Sequence, residues 1–228
     1  MIECEIRQKL FTLVDDKFKN FSSTIVKNNH PMIGVQIPKL RLIAKMICKG
    51  NNDVLYLNAN KMEYYEEILL QGFVIGYSKI NNRLKFDYLS KLIPLISDWS
   101  ECDCIVNSLK FIKTELDYSF SFLIPYLNCD SQFKNRFAIV CLLNYFLTDE
   151  YIDRVLNLLI NFKSDFYYVN MAIAWALCEC FVKFYDKTFK VFKNADINIF
   201  VYNKTIQKCV ESFRIAVDKK EELKQIKK

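Results

Sequence analysis

Apolar residues recur at three- and four-residue intervals along almost the whole chain, which is the spacing of one face of an α-helix. Only four glycines and four prolines interrupt 228 residues, too few for the many tight turns of a β-sandwich or β-barrel. The sequence therefore predicts an all-α protein of about ten to twelve helices joined by short connections. The longest periodic stretches are Phe133–Phe146, Tyr151–Phe162, Tyr168–Phe184 and Ile199–Ala216.

Short polar breaks separate these stretches, and each break contains an Asp, Ser or Thr that is suited to cap the next helix. The breaks are Lys49–Asp53, Asn128–Ser131, Thr148–Glu150 and Lys163–Asp165. Pro38 is well placed for the first turn of a helix that contains Leu40 and Ile43.

The composition bounds the size and cellular setting of the protein. A hydrophobic content of 52% can fill the core of one extended or two modest domains, and the absence of a composition shift favours a single domain, residues 1–228. No apolar run approaches a membrane span, and the charged start MIECEIRQKL lacks the apolar segment of a secretory signal. Nine cysteines, an odd number that falls mostly in apolar helical stretches, indicate reduced, buried thiols. We expect a cytoplasmic monomer, nucleoid-associated in a bacterium.

The formal net charge of +6 and the basic C-terminal segment DKKEELKQIKK are compatible with a polyanionic partner. A solvated charged face would give the same balance, so charge alone leaves both interpretations open.

Several kinds of catalytic site find no support in the sequence. The single histidine, His30, directly precedes a proline and is expected in a loop, which argues against a serine triad, a cysteine–histidine pair or a HExxH zinc site. The four glycines form no phosphate-binding loop. Gly72 and Gly76, one helical turn apart, more simply permit close packing of two helices.

Two CxC pairs, Cys102/Cys104 and Cys178/Cys180, could suggest a four-thiolate metal site. Residues two apart on a helix point about 200° apart, and zinc sites prefer CxxC spacing on turns. We therefore expect packed thiols and no bound metal.

The stretch SDWSECDC, Ser97 to Cys104, begins a helix. Asp98 (or Ser97) is a suitable N-cap, and Asp98 with Glu101 forms a variant of the capping box. Trp99 and Asp103 then share one face, where an indole beside an ionised carboxylate could hold a cation or stabilise a developing positive charge. A tryptophan that anchors the helix and a solvated aspartate would explain the same residues.

A longer period connects Trp99, Arg136 and Trp175, which are 37 and 39 residues apart, each near the start of an apolar helix. Repeats of about forty residues, each a helical hairpin, are typical of HEAT and armadillo-type solenoids, whose equivalent positions line one face. The three residues would then converge on a common groove. Three points make a weak period, and chance spacing remains an alternative.

Four stretches in order resemble the HEAT-like alkylpurine DNA glycosylases, the DNA alkylation repair enzymes of AlkD type. The resemblance spans about Ile33 to Arg214. The matching stretches are GVQIPKLRLIAK (Gly34–Lys45), DWSECD (Asp98–Asp103), FKNRFAIV (Phe133–Val140) and AIAWAL (Ala172–Leu177).

This resemblance implies a superhelix of HEAT-like (ARM-type) repeats with a concave DNA-binding groove, acting without a cofactor on double-stranded DNA that carries N3- or N7-alkylated purines. Asp103 would match the catalytic carboxylate. Trp99 and Trp175 would match the indoles that flank the damaged nucleotide, and Arg136 the arginine that holds its backbone. Possible further phosphate contacts are Lys39, Arg41, Lys204 and Lys208.

Three positions depart from the family pattern. Relatives can carry a tyrosine at the position of Ile25 and an arginine at that of Cys178, and an aromatic residue in place of Asp98. These changes affect the surface that contacts DNA more than the catalytic core. They leave open a divergent subfamily with a different lesion preference, and also an alternative function, a non-catalytic helical-repeat module that binds DNA structures or a protein.

Overall fold

The computed structural model describes residues 2–26 and 29–228, and within these ranges every regular element is a helix. The all-α prediction is confirmed. There are more helices than predicted, and none of them is both long and apolar enough to cross a membrane. The α-helices are α1 Ile2–Phe11, α2 Asp16–Ile25, α3 Ile37–Lys49, α4 Asp53–Ala59, α5 Tyr65–Tyr77, α6 Asn82–Leu92, α7 Trp99–Val106, α8 Leu116–Leu127, α9 Gln132–Tyr145, α10 Ile152–Asn161, α11 Tyr167–Lys183, α12 Tyr185–Phe192, α13 Ile199–Glu211 and α14 Val217–Gln225. Two 3₁₀ segments, Ile93–Leu95 and Lys110–Thr114, flank α7.

The long periodic stretches are where sequence and structure agree best. The predicted stretches over α9, α10 and α11 begin and end within one residue of the observed helices. The last stretch was predicted too long, because α13 ends at Glu211 rather than Ala216. Helix α8 was missed, since it carries Pro125 in its last turn, where the missing N–H interrupts the backbone ladder but does not prevent the preceding turns from forming.

The predicted helix caps were only partly right. Within the described ranges, side-chain oxygens of Asp15, Asn81, Asp98 and Asn198 cap the N-termini of α2, α6, α7 and α13. The four polar breaks that were predicted to cap α4, α9, α10 and α11 do not do so. The N-cap residues Asn52 and Ser131 accept no capping hydrogen bond through their side chains, and the N-cap positions of α10 and α11 are Tyr151 and Phe166. Ser164 instead accepts a hydrogen bond from the Phe166 N–H within the loop.

The chain divides into two compact units, Met1–Glu115 and Leu116–Lys228. In the first, α3, α5 and α7 pack side by side in one layer, and α4 and α6 pack against it from the connections between these helices. In the second, α9, α11 and α13 form the equivalent layer, contacted by α8, α10 and α12. Alternating helices in two layers are the arrangement of a helical-repeat protein. In a solenoid each repeat contacts mainly the neighbouring repeats, so a division into two compact units does not decide the number of domains. The single-domain prediction stays a prediction.

Helix α5 is the buried centre of the first unit. Its residues are buried without a break from Tyr65 to Ile75. A Cβ atom added at Gly72 would lie 2.5 Å from Cγ1 of Ile105, and one added at Gly76 would fall on the carbonyl oxygen of Ser108. The prediction that this glycine pair permits close helix packing is confirmed.

The segment before α3 is held by a buried carboxylate. Glu66, which is fully buried, accepts hydrogen bonds from the backbone N–H groups of Ile33 (2.8 Å), Gly34 (2.7 Å) and Val35 (3.1 Å). Gly34 has φ +107°, a conformation that side chains disfavour. The turn leads into α3 with Pro38 in its first turn, as predicted.

We expect Gly76→Ala to lower the free energy of unfolding by about 1–3 kcal/mol, because the new methyl group meets backbone atoms that cannot move cheaply. Urea unfolding measures the change. Gly50→Ala at the end of α3 is the control, because the atom nearest its methyl group would be the end of the flexible Asn52 side chain and the backbone oxygens would lie at ordinary contact distance. Equal stability of Gly76→Ala and wild type would contradict the close contact.

Candidate functional site

The start of α7 is fixed by two carboxyl groups. Oδ1 of Asp98 accepts hydrogen bonds from the backbone N–H groups of Ser100 (2.6 Å) and Glu101 (3.0 Å). Oε2 of Glu101 reaches back and accepts one from the N–H of Ser97 (2.7 Å). Asp98 is therefore the N-cap, and the predicted variant of the capping box is confirmed.

Helix α7 has one buried face and one partly exposed face. Cys102, Ile105 and Val106 are buried, and α7 packs against α5. Trp99 is the first residue of the helix, and Asp103 follows one turn later; both side chains are half-buried. The two residues thus keep accessible surface on a helix whose other side is fixed.

A hydroxyl pair fixes the N-terminal half of α7. The hydroxyl groups of Tyr65, on α5, and Ser100 lie 2.8 Å apart. Burial raises the pKa of Tyr65 well above its usual value of 10.0, so the phenol keeps its proton and can donate this bond.

Arg41 fixes the C-terminal end of α7. Its guanidinium group donates from Nη1 to the hydroxyls of Tyr77 and Ser108, both at 2.7 Å, and from Nη2 to the Cys104 carbonyl at 3.2 Å. The same group lies 4.3 Å from the centroid of the Phe73 ring. One side chain of α3 therefore joins all three helices of the layer. Sequence reasoning considered Arg41 only as a possible phosphate contact and missed this role.

The carboxyl group of Glu101 titrates far from its ordinary range. Burial, followed by repulsion from the Asp98 carboxylate, raises the pKa of Glu101 from 4.5 to about 8. Its second oxygen, Oε1, is buried without a hydrogen-bond partner among the described residues. Near neutral pH the capping carboxyl group is therefore largely protonated.

Arg136 and Trp175 lie on neighbouring helices of the second unit. Arg136, in the second turn of α9, is 6% exposed and donates a hydrogen bond from Nη1 to the Tyr168 carbonyl at 2.9 Å. Trp175 is half-buried and lies in the middle of α11, not near its start, because α11 begins at Tyr167. Their predicted contacts with DNA stay predictions.

The predicted phosphate contacts other than Arg41 are distributed over two helices. Lys39, on α3, is half-buried. Lys204 and Lys208, on α13, are half-buried, and Nζ of Lys204 donates to Oε1 of Gln207 at 2.7 Å. Their roles toward a nucleic acid also stay predictions.

All nine cysteines are free; five of them are buried core thiols, three are half-buried and Cys4 is exposed. Cys178 and Cys180 are buried, while Cys104 is half-buried beside buried Cys102. The thiols of Cys178 and Cys209 hydrogen-bond to each other, which lowers the pKa of Cys178 and raises that of Cys209. No three His, Cys, Asp or Glu side chains are grouped to hold a metal ion in the part of the chain that the structure describes.

Of the three departures from the family pattern, Asp98 is the N-cap of α7, and the other two differ in their exposure to solvent. Ile25, the last residue of α2, is 45% exposed. Cys178 is 4% exposed, so this position points into the packing between α11 and α13.

One feature escaped sequence reasoning entirely. Aromatic residues occupy the first turns of α9, α11 and α13, at Phe133, Tyr167, Tyr168 and Phe200. The signal that could have revealed them in the sequence was the recurrence of aromatic residues at the start of three apolar stretches, those of α9, α11 and α13.

The fold and the residues on α7 define a helical-repeat protein with a tryptophan and an aspartate presented from one layer. The sequence profile of the DNA alkylation repair enzymes matches residues 6–222, nearly the whole chain. The chain belongs to this family. A search of individually curated proteins gives no significant match.

The pKa of Glu101 predicts a specific pH dependence of stability. Between about pH 4.5 and pH 8 the unfolded chain loses this proton while the folded protein keeps it, so stability falls as pH rises through this window. We expect Glu101→Gln to remove that slope, so that the variant gains stability relative to wild type between pH 5 and pH 8. Urea unfolding at a series of pH values measures the difference.

The matched control is Glu5→Gln, which changes an exposed carboxyl group in the first turn of α1. Its unfolding curve should run parallel to that of wild type over this pH range. A Glu101→Gln curve that is equally parallel would contradict the raised pKa.

Proposed function

We propose that this family member is a DNA glycosylase that excises N3- and N7-alkylated purines by hydrolysing the N-glycosidic bond. One observation carries the proposal beyond family membership. Asp103 lies one turn from Trp99 on the accessible face of α7, while the capping carboxyl groups, Arg41 and the α5 contact fix the rest of that helix.

The chemistry suits this pair of side chains. A purine alkylated at N3 or N7 carries a positive charge and is already a good leaving group, so the main barrier lies in the cationic sugar that remains. The Asp103 carboxylate would stabilise this oxocarbenium-like sugar and position the attacking water. The Trp99 indole would attract the cationic nucleotide through its π face.

The second unit would bind the DNA backbone near the lesion. We propose that Arg136 contacts a phosphate and that Trp175 flanks the sugar. The hydrogen bond from Arg136 to the Tyr168 carbonyl supports this role, because it orients the guanidinium before DNA arrives. Contacts from Lys39, Arg41, Lys204 and Lys208 to phosphates would add affinity without sequence preference.

We expect Asp103→Asn to slow the release of 7-methylguanine and 3-methyladenine from alkylated duplex DNA by about 100-fold or more, because the transition-state cation loses its counter-charge. Single-turnover assays with excess enzyme measure the rate. Asp87→Asn, an exposed aspartate on α6, removes the same charge and should leave the rate unchanged. Equal rates for Asp103→Asn and wild type, or no release by wild type, would refute the proposal.

We expect Arg136→Ala to act mainly on binding. The loss of one phosphate contact should weaken affinity for duplex DNA and reduce the salt dependence of binding by about one unit in the slope of log K against log salt. Trp99→Ala should instead slow release more than it weakens binding. Titrations at several salt concentrations separate the two effects, and salt-independent DNA binding by wild type would exclude a nucleic-acid partner.

A non-catalytic DNA-binding module is the second candidate function. The burial of Cys178, where relatives can carry an arginine, favours it because this position offers DNA no charge. Tight binding to nicked or branched DNA without base release, unaffected by Asp103→Asn, would support this alternative.

A further inference from the structure

Four aromatic rings form a continuous row across the second unit. The ring centroids of Phe133 and Tyr168 are 5.7 Å apart, those of Tyr168 and Tyr167 are 5.3 Å apart, and those of Tyr167 and Phe200 are 5.9 Å apart. These residues, here called the aromatic row, come from the first turns of α9, α11 and α13. Neighbouring helices of one layer thus bring together rings that are far apart in the sequence.

The row is accessible to solvent. Tyr167 is 58% exposed and Phe200 is 37% exposed, while Phe133 and Tyr168 are half-buried. The core of this unit lies deeper in the same helices, so these rings are not needed to fill it. Exposed, contiguous rings of this kind are typical of a binding surface.

A groove of about 360 Å³ continues the row at α13. Lysines are its only charged side chains, and the Lys204 ammonium also lies 5.8 Å from the centroid of the Phe200 ring. The groove combines one aromatic face with amide and ammonium groups. It is lined by Ile199, Phe200, Asn203, Lys204, Gln207 and Lys227.

We propose that the aromatic row and this groove bind unpaired nucleotides of DNA, with bases stacked on Tyr167 and Phe200 and a phosphate held by Lys204 and Lys227. Exposed aromatic rings flanked by lysines are the usual means of holding single strands, because every base has a π face and every linkage a charge. Paired bases already stack on each other inside a duplex and cannot cover the rings. The occupant is therefore a flipped-out, frayed or single-stranded segment.

The proposal rests on the proposed function in one respect, that DNA is the partner. The aromatic row and the proposed phosphate contact at Arg136 are also linked structurally, because the Tyr168 carbonyl accepts a hydrogen bond from Arg136. A strand whose phosphate is bound at Arg136 has the row directly beside it on the same pair of helices. The aromatic row would then hold nucleotides that lose their base pairing near the phosphate bound by Arg136.

The test compares the full-length wild type with Tyr167→Ala and Phe200→Ala in binding to a labelled single-stranded oligonucleotide and to a blunt duplex of equal length. Each loss of a ring should weaken single-strand binding about tenfold and duplex binding much less. Phe200→Trp, which keeps a stacking face, should bind like wild type. Unaltered thermal melting of the variants, expected for exposed positions, excludes misfolding.

Phe213→Ala is the matched control, since this ring is fully exposed in the same unit but lies outside the row. Equal losses in Phe213→Ala and Tyr167→Ala, unchanged affinity in both row variants, or no single-strand binding by wild type would overturn the proposal. Self-association in sedimentation experiments that Tyr167→Ala abolishes, with DNA binding unchanged, would assign the row to a second copy and also overturn it. Absence of base release with ring-dependent single-strand binding would refute only the glycosylase.

Discussion

The close approach of α5 to α7 is the contact on which the first unit depends. Helix α7 has only eight residues, too few to be stable alone, and its buried face is small. Gly72 and Gly76 remove the side chains that would separate the two helices, so that Ile105 and Ser108 pack against the α5 backbone. This contact allows so short a helix to present Trp99 and Asp103 at a fixed position.

Buried carboxyl groups then set the orientation of the layer. Glu66 gathers three backbone N–H groups before α3, and Asp98 and Glu101 satisfy those at the start of α7. Burying such groups is costly unless hydrogen bonds compensate. Compensation is incomplete at Glu101, because its Oε1 is buried without a hydrogen-bond partner among the described residues. This unfavourable burial of a carboxyl group lies where α7 begins, next to the residues of the proposed active site.

The parts of the fold that the sequence could predict are those decided locally. The long periodic helices and the Asp98 cap depend on neighbouring residues, and the spacing of Gly72 and Gly76 predicted their contact. Arg41 could not be assigned in this way, because its partners lie on two other helices and appear only when the layer is assembled. The aromatic row escaped for the same reason, since ring-to-ring contact follows from helix stacking and not from sequence spacing.

In the second unit, the packing of α9 against α11 also relates the aromatic row to the proposed contacts with the DNA backbone. Phe133 precedes Arg136 by one turn of α9, and Tyr168 precedes Trp175 by two turns of α11. Residues at these intervals lie on similar faces of a helix. The rings and the proposed backbone contacts therefore follow one stripe across two packed helices. A damaged base pair that opens leaves one strand without its partner, and under our two proposals this stripe would place a phosphate contact and base-stacking rings side by side.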